Sequence, residues 1–170
     1  MTITRAPLRA QARLSSPLGP ITLAATDDGL AGLWFDGQKH HPGVLDAPDD
    51  PRQIWIAQAA EELDAYWRGG AAPHTRFHVA LDLAGTPFQR GVWHALLDIA
   101  CGERCAYRDI AERIGAPSAL RAVGAAIGRN PVSVIVPCHR VVGRDGTLTG
   151  YAGSLDRKRA LLRLEAAPRR

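Results

Sequence analysis

Cys138, His139 and Arg140 stand side by side, directly after Pro137 and the apolar run Val132 to Val136. A cysteine attacks only as its thiolate, and with a reference pKa of about 8.5 it needs a base or a positive field close by. His139 and Arg140 are residue types that supply one or the other. The apolar run reads as a buried strand, which would deliver the thiol at the end of a rigid element, as suits a nucleophile. The same dipeptide also has a plain reading, since adjacent side chains often point apart and many such cysteines are simply buried. Taken alone, it leaves both readings open.

The remaining candidates for chemistry are weaker. Cys101 and Cys105 have neither CxxC spacing nor a second ligand pair, so they read as packing residues rather than a zinc site. Three cysteines are an odd number for a disulfide framework, and free thiols are expected. His40, His41, His74 and His78 have no cysteine or acidic partner at ligand spacing and read as surface or structural residues. No metal and no cofactor are expected.

The net charge of +4 conceals an asymmetry. Residues 1–85 carry 7 Lys and Arg against 10 Asp and Glu, a balance of −3, whereas residues 86–170 carry 14 against 7, a balance of +7. The excess in the second half is almost entirely arginine, whose planar guanidinium donates two hydrogen bonds at once to phosphate. That half is the expected source of nucleic-acid contacts, and the acidic half should contribute almost nothing. A solvated basic surface would carry the same charge. No apolar run approaches the length needed to span a bilayer, and no signal-peptide pattern follows the basic residues before Arg13. The expectation is a cytoplasmic protein without a membrane partner.

Two arrays of elements would have to position these groups. In residues 1–85, turn formers separate strands at Gln11 to Ser16, Ile21 to Ala25 and Leu30 to Phe35. A helix is expected from Arg52 to Trp67, with Ile56, Ala60, Leu63 and Trp67 on one face and Gly69-Gly70 as its stop. Phe77 to Leu83 alternates like a further strand, and Ala84-Gly85 reads as a boundary. In residues 86–170, Thr86, Pro87 and Gln89 signal a capping box and a helix to about Ile99. Helices at Tyr107 to Ile114 and Pro117 to Ile127 follow, ended by Gly115 and Gly128 with few residues between, which is helix-turn-helix spacing. A last helix is expected from Leu155 to Glu165, capped by Ser154. The fold class is therefore α/β of the α+β kind: a small sheet-plus-helix domain (1–85), then a mainly helical domain (86–170).

Four segments in order, Arg121-Ala122-Val123-Gly124, Asn130-Pro131, Pro137 to Gly143 and Gly150 to Gly153, together resemble the O6-alkylguanine-DNA alkyltransferases. The match runs from about Thr86 to Glu165, with a looser likeness before it. The resemblance implies a ribonuclease H-like first domain and a winged helix-turn-helix second domain. It also implies irreversible, single-use transfer of an alkyl group from O6-alkylguanine in DNA to Cys138, with O4-alkylthymine as a further candidate substrate. His139 would take the proton of Cys138 through an ordered water while Glu165 holds the imidazole, so that a thiolate persists near neutral pH. Tyr107 would donate to the leaving base, and Asn130 would tie the helix-turn-helix to the cysteine segment.

The alkylated oxygen lies on the major-groove edge of a paired base, so the nucleotide must be flipped out. By resemblance, Arg121 fills the gap it leaves, and Ala122, Ala125 and Ala126 allow close approach to the minor groove, with Tyr107 and Arg129 also at the DNA. Tyr151, Ala152 and Gly153 would form one wall of the base pocket, with backbone groups of Cys138 and Val141 on the guanine edge. Some relatives carry serine at Ala152, so one hydroxyl contact is in question. The expected partner is duplex DNA, bound by a monomer, with cooperativity open. The rivals are a lesion-binding DNA module without transfer, which would lack the acceptor cysteine, and a thiol hydrolase, which would turn over repeatedly.

Overall fold

The computed structural model describes residues 6–69 and 76–166; His74 and Gly70 lie outside them. Strands β1 (Ala10–Leu14), β2 (Ile21–Ala25) and β3 (Leu30–Phe35) form an antiparallel sheet in that order. Every residue of β3 is buried, because β3 is covered on its faces and along its outer edge.

Helix α1 (Ile54–Gly69) covers the sheet with Ile56, Ala59, Leu63 and Tyr66. The expected face is thus turned slightly: Ala59 and Tyr66 are buried, while Ala60 and Trp67 are only half-buried. The reason lies in the tyrosine hydroxyl, which has a buried partner in the second half of the chain, Glu165. The helix starts two residues later than expected because Gln53 acts as its cap, its side-chain oxygen accepting from Trp55 N (2.8 Å) and Ile56 N (3.1 Å).

Two expected strands are corrected. Phe77 to Leu83 pairs with β3 only around Leu30, through Leu30 N to Ala80 O (2.8 Å) and Asp82 N to Leu30 O (2.9 Å). The Glu62 carboxylate accepts from His78 N and Val79 N, so those amides are taken from any longer ladder. Val132 to Val136 meets β3 at one point, where Leu33 N donates to Pro131 O and Ser133 N to Leu33 O, both 2.9 Å. It then coils, with Val136 N on Val132 O and Val134 at a φ of 71°. The run is apolar because it is buried on all sides, which periodicity cannot distinguish from a strand.

The second half is helical. Helix α2 (Pro87–Leu97) begins with the expected capping box of Thr86 and Gln89. Strand β4 (Cys105–Ala106) leads into α3 (Tyr107–Arg113), and α4 (Leu120–Gly128) follows after a turn at 116–119 rather than starting at Pro117. Trp93 Nε1 donates to Ala126 O (2.8 Å), locking α4 onto α2. Cys138–Arg140 forms a 3-10 turn, followed by β5 (Val141–Val142), which pairs parallel with β4. Helix α5 (Leu155–Ala166) closes the chain, and Ser154 Oγ accepts from Arg157 N (3.4 Å) at its start. The fold is mixed α/β, a small N-terminal sheet domain beside a helical C-terminal one. Among the described residues no helix is long and apolar enough to cross a membrane.

Candidate functional site

The cysteine segment is fixed at both ends, by β3 at Leu33 and by β4 through Val141, so the 3-10 turn between them has little freedom. Cys138 sits in that turn with 5% of its surface exposed. Asn130, just past α4, donates Nδ2 to Cys138 Sγ (3.1 Å) and to Val136 O (2.8 Å), and its Oδ1 accepts from Val132 N (2.9 Å). One buried amide thus ties the helix-turn-helix to the thiol.

Behind the cysteine lies a buried polar cluster centred on Glu165. Its carboxylate meets His139 Nε2 at 2.7 Å and accepts from Arg140 Nε (3.0 Å), Arg140 Nη2 (2.9 Å) and Tyr66 Oη (2.8 Å). Arg140 Nη1 completes the cluster on Ile99 O (2.6 Å). Burial alone would raise the Glu165 pKa, but the hydrogen bonds and charges of His139 and Arg140 outweigh it and hold the carboxyl far below its usual range. An ionised carboxylate can only accept, so the His139 proton lies on Nε2 and Nδ1 keeps its lone pair. His139 Nδ1 is buried with no hydrogen-bond partner among the described residues.

Burial pushes the Cys138 thiol up, and the Asn130 hydrogen bond and the Lys158 charge pull it only part of the way back. Burial likewise lowers His139, against the pull of Glu165. Both shifts favour the uncharged forms, thiol and neutral imidazole, and so run against the expected persistent thiolate. No hydrogen bond joins Cys138 to His139 directly among the described residues.

A pocket of about 490 Å³ opens on Cys138. Tyr107, Ala125, Arg129, Tyr151 and Ala152 line it, as do Gly124 and Gly128 of α4. Its size is that of a ligand site. Tyr107 Oη donates to Thr149 O (3.2 Å). Gly153 is buried where a Cβ would lie 2.6 Å from Tyr151 Cε1 and 3.2 Å from Phe35 Cδ2, so only glycine fits behind the wall. Arg121 and Ala122 are exposed on α4 outside the pocket, whereas Ala125, also exposed, lines it. Ala126 does not belong with them: it is 3% exposed and faces the core.

Sequence reasoning missed Lys158. It is fully buried, donating Nζ to Val141 O (2.6 Å), Thr149 O (2.8 Å) and Gly150 O (3.2 Å), and burial lowers its pKa to about 8. Val141 O therefore already accepts one hydrogen bond, from Lys158. The available signal was its helical spacing with Leu161, Leu162 and Glu165, which sets a lysine on the buried face of α5. Lys39 and His40 of the first half also line the pocket and were missed. Cys101 and Cys105 are free, buried, and raised by burial to about 11 each, which agrees with packing roles.

Comparison with known proteins bears on this arrangement. The profile of the 6-O-methylguanine DNA methyltransferase ribonuclease-like domain matches residues 11–83, and that of the DNA-binding domain matches 87–167. A methylated-DNA–protein-cysteine methyltransferase of Mycobacterium tuberculosis is 49% identical over 152 residues, 89% of each chain. The chain belongs to the 6-O-methylguanine DNA methyltransferase family. A Methanosarcina barkeri member of the same name is 45% identical over 155 residues, covering 89% of this chain and 94% of its own. The crystal structure of Mycobacterium tuberculosis OGT in complex with DNA superposes with a TM-score of 0.83 at 46% identity, covering 92% of both chains.

Proposed function

We propose that this protein repairs DNA by direct reversal, taking the alkyl group from O6 of guanine onto Cys138 in a single, irreversible event. One observation carries the reading: a thiol held by Asn130 at 3.1 Å opens on a pocket of about 490 Å³, next in sequence to a buried His139–Glu165 pair. As duplex DNA lies against α4, the lesion nucleotide flips into the pocket, and Arg121 occupies the gap in the stack. His139 Nδ1 takes the thiol proton through a water, the sulfur attacks the alkyl carbon, and the carbon–oxygen bond breaks. The guanine leaves as an anion, which Tyr107 Oη stabilises by donating a hydrogen bond. Glu165 stabilises the imidazolium formed on the way.

The product is a thioether, whose carbon–sulfur bond water does not cleave, so each molecule acts once. We assign residues 1–85 to support and 86–170 to DNA binding and alkyl acceptance, and we place the protein in the cytoplasm. Excess O6-methylguanine DNA should give a burst equal to the protein concentration and then a plateau. Cys138→Ser should abolish the burst while keeping DNA binding. A linear phase of repeated turnover would exclude the reading in favour of a thiol hydrolase.

A further inference from the structure

The acidic first half would be expected to stay off DNA, yet it sends one turn to the mouth of the pocket. Gln38 to His41 closes a tight turn, His41 N donating to Gln38 O (3.2 Å). Lys39 is the only lysine in residues 1–85. The turn is built firmly against the second half. The buried Gln38 side-chain oxygen accepts from Phe35 N (2.8 Å) and Ser133 Oγ (3.2 Å), and Lys39 N donates to Ala152 O (2.9 Å). The turn is thus joined to the pocket wall by a backbone hydrogen bond and to the cysteine segment by the Gln38 side chain.

His40 has a φ of 62°, a conformation that glycine adopts more cheaply, so a side chain is retained there at a conformational cost. Lys39 and His40 line the pocket together with a second cation, Arg129 at the end of α4, and all three residues are exposed. Burial first, then the positive fields of Arg129 and Lys39, lower the His40 pKa, so the three groups share one field. Elsewhere in the first half, Arg9 pairs with Asp27, Arg13 with Asp36 and Arg68 with Asp64, whereas Lys39 has no carboxylate partner among the described residues.

We propose that Lys39 and His40 form, with Arg129, a lip that binds the backbone phosphate of the flipped nucleotide. This rests on the repair reading above. A base turned into the pocket stays tethered by its two phosphates, which must then lie at the mouth, where these donors are. Lys39 supplies a point charge, Arg129 a forked donor and His40 a ring N–H. The first half is thereby a partner in substrate binding, and its net charge of −3 is a poor guide to what its one lysine does.

The test is the salt dependence of affinity for duplex DNA containing O6-methylguanine, measured on the full chain. Lys39→Ala should lower the slope of log affinity against log salt by about 0.9, the amount of one phosphate contact, and Lys39→Arg should restore it. Arg52→Ala, which removes an exposed cation outside the pocket lining, should leave the slope at the wild-type value. Normal methyl uptake by the wild type, with an unchanged Lys39→Ala slope or an equal loss in Arg52→Ala, overturns the lip alone. A wild type that takes no methyl from the duplex overturns the repair reading and the lip with it.

Discussion

Asn130 holds Cys138 by its sulfur: Nδ2 lies 3.1 Å from Sγ while the same amide group is fixed by Val136 O and Val132 N. A donor on sulfur favours the thiolate, and it opposes the burial that pushes this thiol up. Asn130→Asp replaces the donor by a negative acceptor. A hydrogen bond to a charged group is worth about 1.5 to 3 kcal/mol, so alkyl transfer should slow by about tenfold to a hundredfold. Single-turnover kinetics with O6-benzylguanine would measure it, and an unchanged rate would remove Asn130 from the mechanism.

Glu165 is the centre of a buried hydrogen-bond network. Its side chain is 1% exposed and answers Arg140, His139 and Tyr66 together. Glu165→Gln leaves the Arg140 guanidinium, 7% exposed, without its counter-charge. Breaking a buried pair in this way costs about 3 to 5 kcal/mol. Urea denaturation should show a loss of that size, and alkyl transfer should fall with it. Arg140→Met in the Glu165→Gln background should recover part of the stability, since no unpaired charge then remains.

Acid should weaken the fold in two stages. His139 is lowered below 6.5, so on acidification the unfolded chain takes up a proton that the folded chain refuses, and stability falls as pH drops below about 6.5. Glu165 is lowered from 4.5, so its contribution is present above that value and is lost progressively below it. Transfer rates should be level through neutral pH and fall only once His139 is protonated. A rate that rises with pH in step with thiolate formation would mean that Cys138 ionises before substrate binds. Thermal melts and single-turnover rates between pH 4 and 8 cover both points.

Much of this was legible in sequence where the signal is local. Thr86, Pro87 and Gln89 announce α2 because a capping box needs only four adjacent residues. The strands of the meander follow from alternation and turn formers. Val132 to Val136 misled because total burial, by a strand or by a coil, selects the same apolar residues. Tyr66 displaced Trp67 from the inner face of α1 for the sake of a partner 99 residues away. The spacing of Cys138, His139 and Glu165 was readable only through family likeness, and Lys39 not at all. A turn after β3 reaches the pocket only because the cysteine segment docks on that strand.

Arg121 is exposed on α4 and lies outside the pocket, so it touches DNA but not the reacting atoms in the proposed arrangement. Arg121→Ala should therefore slow repair of duplex DNA much more than reaction with free O6-benzylguanine, which needs no base to be flipped. Unstacking costs a few kcal/mol, so the difference should exceed about tenfold. Equal losses on the two substrates would place Arg121 in general folding instead.

In the proposed reaction Cys138 itself becomes the alkyl carrier. Intact-protein mass spectrometry after mixing with excess duplex containing O6-methylguanine tests it most directly. A single methyl increment, mapped by peptide fragmentation to Cys138 and absent from Cys138→Ser, is the predicted result. An unmodified mass alongside repaired DNA, or a methyl on Cys101 or Cys105, would contradict it.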